Sequence, residues 1–182
     1  MESGNLSSKI IRYKQVLENT VNYRLEWHND VKPMLLKELN HVLKALELPK
    51  AEVLEKNNIE NLEAVVLDLG RTSSGITENL EDTGVKRTMI KSNGYLIYQQ
   101  LFNGKIMVMI MSPHIEGYGE PKPPLSLEIL RPDELKVPFV IRHAETFLRD
   151  ITEWEDYDDE QPNKTGQGFN PIGFNTEPPN EE

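Results

Sequence analysis

Two His-x-Glu pairs, His114/Glu116 and His143/Glu145, are the residues of this chain whose types and spacing could do acid–base or metal chemistry. An imidazole and a carboxylate can relay a proton or share a metal ion. The second pair argues against itself. Residues 138–154 read as a helix, and positions two apart on a helix point about 200° away from each other. His143 borders the apolar stripe of that helix, one turn from Phe147, and reads as a packing residue. His114 falls in a Gly- and Pro-rich stretch with no third ligand near it in sequence, so no metal or cofactor is expected. Gly70-Arg71-Thr72-Ser73-Ser74-Gly75 has the glycine spacing of a phosphate loop, but Ile76 stands where the phosphate-binding lysine belongs. There is no Gly-x-Ser-x-Gly and no cysteine, which removes a nucleophile elbow, a thiol nucleophile, a disulfide framework and a cysteine zinc site.

What remains is the chemistry of recognition. Met107, Met109 and Met111 stand at alternate positions of one apolar run, with Tyr98 and Phe102 on the run before it. Unbranched thioethers adapt to partners of different shape. Near the C-terminus, Gly168-Phe169-Asn170 is echoed by Gly173-Phe174-Asn175, with Pro171-Ile172 between them. Phe169, Ile172 and Phe174 thus give an otherwise polar tail a short apolar motif, as a docking segment would have.

Stepping outward to the whole chain, 182 residues leave room for one domain with a core. Hydrophobic residues make up only 37% of it, as expected if part of the chain does not pack. The net charge is -10, and residues 155–182 carry eight acids against one lysine. The remainder is nearly balanced, so no basic surface signals nucleic acid. No stretch approaches the roughly 20 apolar residues of a membrane span. Met1-Glu2-Ser3-Gly4-Asn5 lacks the basic start and apolar run of a secretion signal, so a cytoplasmic location is expected.

The elements follow from periodicity. Leu6, Ile10, Tyr13, Leu17 and Val21 predict a helix over 6–28, and Leu35, Leu39, Val42 and Leu46 a second over 31–47, with Asp30 as its N-cap. They form a hairpin or one kinked helix. Strands are expected at 51–55, 63–69 and 125–130, with 70–84 and 112–124 as loops. Val85–Lys91, Tyr95–Phe102 and Lys105–Met111 are β-rich runs separated by Asn93-Gly94 and Asn103-Gly104, which predicts a three-stranded meander with two-residue turns. In that register Ile90 faces Ile97 and Tyr98 faces Met109. One face then carries Ile90, Tyr95, Ile97, Leu101, Ile106, Val108 and Ile110 as core. The other carries Met89, Leu96, Tyr98, Phe102 and the three methionines. Val140, Ala144, Phe147, Ile151 and Trp154 predict the last helix.

The expected fold is α+β, an antiparallel sheet around the 85–111 meander with two N-terminal helices and one C-terminal helix packed on it. Residues 1–157 form the domain and 158–182 an acidic, disordered tail, dispensable for folding and used in docking. The expected function is non-enzymatic protein binding or assembly through Tyr98, Phe102, Met107, Met109, Met111, Phe169, Ile172 and Phe174, with a protein partner or a homo-oligomer. The alternatives are a small inhibitor or immunity protein for a basic partner, a phage or injection-machine component, and an enzyme using His114 and Glu116.

Overall fold

The chain opens as a continuous helical rod. In this computed structural model, which describes residues 3–80 and 84–157, α1 (Ser3–Glu26) passes through a π-helical turn at Trp27–Val31 directly into α2 (Lys32–Leu46). Asp30 does not cap a new helix, contrary to the sequence expectation. Val31 has helical φ/ψ of -72° and -52°, and no side chain caps the start of α2. The cause of the wider turn lies just beyond it. Pro33 has no N–H to return to the carbonyl four residues earlier. The turn before it loosens by one residue, with the Lys32 N–H reaching the Trp27 carbonyl. Trp27, Val31, Leu35 and Leu39 carry the buried face from the turn into α2. Glu47, in the left-handed region at φ 50°, ends the helix.

The strands are β1 (Glu52–Lys56), β2 (Ala64–Asp68), β3 (Arg71–Asn79), β4 (Lys86–Ser92), β5 (Tyr95–Gln100), β6 (Ile106–Met111), β7 (His114–Ile115) and β8 (Leu125–Leu130); α3 (Val137–Glu155) follows. Five of them form one antiparallel sheet in the order β1-β2-β5-β6-β8, and the other three form a second sheet in the order β3-β4-β7. The α+β class with antiparallel sheets, and α2 and α3 lying on a sheet, are therefore as expected.

Within that class four expectations are corrected. First, β4 does not pair with β5, so there is no 85–111 meander; only the β5–β6 hairpin of it forms. Asn93-Gly94 is not a turn. The Leu69 N–H bonds the Gly94 carbonyl, and the Asn93 N–H bonds the Gly70 carbonyl, so pairing runs through without a shift from Asp68↔Tyr95 to Arg71↔Ser92. The chain segments 64–79 and 86–100 are thus one long antiparallel ribbon, with its base in the large sheet and its outer part as β3 and β4. Gly94, at φ 100°, is where the ribbon passes under α3: a Cβ there would sit 2.9 Å from the Met111 carbonyl oxygen and against Phe147 and Ile151. Second, 71–79 is a strand rather than a loop. Its side chains are exposed or half-buried throughout, so backbone pairing holds it without an apolar signal.

Third, the β5–β6 register is one residue from the expected one. Tyr98 pairs with Val108 and Gln100 with Ile106. The turn holds three residues, Phe102 to Gly104: the Gly104 N–H bonds the Leu101 carbonyl, the Leu101 N–H bonds that of Lys105, and Gly104 takes φ 77°. That is a type I turn closed by a glycine bulge, the three-residue alternative to the two-residue turn. A slip of one residue moves every side chain to the other face. Tyr98 and Leu96 therefore join Ile106, Val108 and Ile110 in the core, while Ile97 and Tyr95 leave it.

The core lies between the inner sheet face and the helices α2 and α3. Val65, Leu67, Leu96, Tyr98, Ile106, Val108 and Ile110 pack there against Leu35, Leu39, Val140, Ala144 and Phe147. α1 takes no part in that packing, which corrects the expectation that both N-terminal helices lie on the sheet. Among the described residues it meets the body at its last turns, where Arg24 Nη2 donates to the Phe102 carbonyl at 2.8 Å and Gly104 lies under Tyr23. α2 and α3 already occupy the inner face, and α1 extends past it.

Candidate functional site

His143 is a buried titratable side chain with a partner on each ring nitrogen, and its setting shows what it does. α3 places it at 2% exposure between β5 and β8. Its Nδ1 lies 3.1 Å from the Tyr98 hydroxyl, and its Nε2 bonds Glu128 Oε1, which Arg142 also holds. A carboxylate only accepts, so Nε2 carries the proton and Nδ1 accepts from Tyr98. The result is a Tyr–His–Glu relay closed by an arginine. It resembles a catalytic relay in connectivity alone: Tyr98 is fully buried, so its oxygen meets no substrate. The relay ties α3 to β5 and β8.

Burial lowers the His143 imidazole below its ordinary value, outweighing the opposite pull of Glu128. The unfolded chain then takes up this proton before the folded one does. The stabilisation is full above the ordinary histidine value of 6.5 and falls as the pH drops through and below it. Thermal melts between pH 8 and 5 should show this loss in the native chain and a smaller one in His143→Gln. Equal pH dependence of the two would remove His143 as its source. For Glu128, burial raises the carboxyl, but the hydrogen bonds from His143 and Arg142 prevail and hold it below its ordinary range.

The other candidate acid–base residues do not converge on this relay. His114 pairs with Ser92 on the β4–β7 ladder. Glu116 is exposed, with a carboxylate oxygen 3.9 Å from Arg71 Nε. Glu145 is exposed on α3 while His143 is buried, as the helical spacing requires. Among the described residues no three His, Asp or Glu side chains are placed to hold a metal ion.

The recognition residues are redistributed. Paired residues share a sheet face, so the register defines rows across the outer side. Leu54, Val66, Ile97 and Met109 form one row over four strands. Ala64, Gln99, Met107 and Ile129 form the next, and Asp68, Tyr95 and Met111 the third. The three methionines do share a face, and no helix among the described residues packs on it, because α2 and α3 lie against the opposite one. Tyr98 is not with them but in the core. Phe102 is not on a sheet face at all: it caps the turn beside α1, 75% exposed. Leu54, Ile97 and Ile129 are members of this surface that the sequence reading does not assign to it, and Val66, 3% exposed, lies beneath it. The alternation of β8 and the parity of the methionines carried the signal, but the assumed turn length assigned Ile97 to the core.

At the β1 end of this face a cleft of about 410 Å³ opens between Lys50, Lys56, Leu54, Val66, Arg71 and Tyr95. Glu52 and Asp68 line it as well, and Asp68 is already engaged, accepting the Gly70 N–H at 2.6 Å. Phe169, Ile172 and Phe174 lie outside the described residues. No helix among the described residues is long and apolar enough to cross a membrane. Comparison with protein-family models, with curated proteins and with solved structures finds no match.

Proposed function

We propose that this chain is a non-enzymatic protein-binding or assembly protein that works through the outer face of its five-stranded sheet. The observation that carries this reading is the apolar row Leu54–Val66–Ile97–Met109, flanked by Met107 and Ile129, on the side opposite the helices. A patch with an apolar centre and a rim of Lys56, Glu52, Asp68 and Gln99 has the anatomy of an interface. The methionines suit it to a partner whose surface is itself irregular. Phe169, Ile172 and Phe174 extend the same reading as a second docking segment.

The test is affinity capture from the native lysate with the full chain and with Met107→Glu/Met109→Glu. The double variant is expected to lose the captured partner while its melting temperature stays within a few degrees, since both side chains lie outside the core. Capture of the same proteins in the same amounts would overturn the role of this face.

A further inference from the structure

We propose that α1 is a self-association arm, and that two copies of this chain pair through it in antiparallel orientation. This goes beyond the partner-binding face and does not rest on it. Residues 4–18 of α1 are exposed at every position, so more than half of a 24-residue helix stands clear of the body. Such a helix is marginal in water by itself, and its stability comes from packing an apolar face. It has such a face. At 3.6 residues per turn, Leu6, Ile10, Tyr13, Leu17 and Val21 fall within about 80° of arc. Leu6 and Tyr13 are each 64% exposed, Val21 57%, Leu17 50% and Ile10 46%. The spacings of four and three from Leu6 to Leu17 are those of a two-helix seam.

Charge and area select the occupant and its direction. Lys9, Arg12 and Lys14 make the first half of α1 basic, while the second half carries Glu18 and Glu26 with Arg24. A parallel pair would align the basic halves with each other. An antiparallel pair sets each against the other copy's second half. Lys14 and Glu18 follow one another on the same flank of the stripe, and like flanks face each other across an antiparallel two-fold axis. When Leu6 meets Leu25 and Ile10 meets Val21, each copy's Lys14 comes beside the other's Glu18, twice over. A stable dimer needs roughly 800 Å² from each partner. A helix about 36 Å long supplies that only along its whole length, which this register uses. Phe102, exposed in the turn that Arg24 holds, lies beside the end of the stripe and adds to the seam.

Light scattering of the whole chain should report two copies in the micromolar range. Ile10→Glu/Leu17→Glu should report one copy that still unfolds cooperatively, because neither side chain belongs to the core of the body. Lys14→Glu should weaken the dimer at least ten-fold, and adding Glu18→Lys should restore it. The chain has no cysteine, so direction can be read by disulfide trapping. A mixture of Ile10→Cys and Val21→Cys copies should cross-link to each other in preference to themselves. Preferential homodimers of Ile10→Cys would overturn the antiparallel arrangement. A native chain that is monomeric at high micromolar concentration, or an Ile10→Glu/Leu17→Glu variant that still dimerises, would overturn the arm. The Met107→Glu/Met109→Glu variant should keep the dimer mass, so failure of the partner-binding face leaves this result standing.

Discussion

Trp27→Ala is expected to lower the unfolding free energy by about 3–5 kcal/mol, the range for removing a large aromatic from a packed core. Trp27 is fully buried at the π-helical turn, and its indole has a second task. Its Nε1 donates to Glu63 Oε2 at 3.1 Å, and the same oxygen accepts from Lys32 Nζ at 3.1 Å. Glu63 is only 8% exposed. Burial raises its carboxyl, but the hydrogen bonds from Trp27 and Lys32 outweigh it, and the group sits below its ordinary range. Alanine removes the ring and one of these donors together. Trp27→Phe separates the two: it keeps most of the apolar volume and loses only the donor, at about 1–3 kcal/mol. Denaturant unfolding of both variants checks this. A midpoint for Trp27→Ala close to that of the native chain would show that the rod is not anchored here. With total stability for a domain at about 5–15 kcal/mol, the larger loss should be evident without extrapolation.

Gly70→Ala is the second large effect, expected at roughly 3–5 kcal/mol, from two sources that act together. Gly70 adopts φ 77°, where a β-carbon is disfavoured by about 1–2 kcal/mol. A Cβ here would also lie 2.3 Å from the Lys50 carbonyl oxygen and 2.9 Å from its carbonyl carbon. Those are backbone atoms, so no side-chain rotation relieves the clash. The ribbon or the start of β1 has to move. Gly75 is the internal control. It has nearly the same φ, 79°, with nothing within 4 Å of the added carbon, and Gly75→Ala should cost only about 1–2 kcal/mol. Calorimetric melts of the two variants give the difference. Equal losses would mean that the close approach to Lys50 contributes nothing.

What could be read from the sequence follows from how much packing each element does. α3 was legible because Val140, Ala144 and Phe147 are all buried on one stripe, so the periodicity and the core coincide. α2 and β2 were legible because they too bury apolar residues. The strand β3 was not, because it is held by backbone pairing and by the hydroxyls of Thr72 and Ser74, which bond Asn93 and the Met89 carbonyl, and it buries no apolar residue that would pattern the sequence. Asn-Gly was misleading once and incomplete once. At 93–94 the glycine serves a close approach to Met111 and Phe147 rather than a turn, and local sequence does not reveal a neighbour that arrives from α3. At 103–104 the turn was right, but a bulge residue shifted the register. That one residue decided whether Tyr98 or Ile97 joined the methionines. The stripe of α1 was read correctly as a stripe, but periodicity shows which residues share a face without showing what that face meets. The Tyr98–His143–Glu128 relay was not legible, since its members come from three elements brought together only by the sheet order.

The long ribbon divides the labour of its own residues. Its base lies in the large sheet, where Val65, Leu67, Leu96 and Tyr98 are each enclosed by neighbours. Beyond Gly70 and Gly94 the same two strands hold each other mainly by their backbones, with Arg87 Nη2 and Glu78 Oε2 at 2.7 Å across the pair. Near the base the side chains still answer to the body, with Met89 and Ser92 buried and Lys91 Nζ 2.6 Å from Glu155 of α3, whereas the outermost ones are exposed or half-buried. Evolution can therefore rewrite the outermost ribbon, residues 75–79 and 86–88, in composition and charge at little thermodynamic risk, so long as the strands still pair. That freedom begins beyond Ser74 and Met89: on one side sequence is constrained by the fold, and on the other it is open to be shaped by whatever the molecule meets.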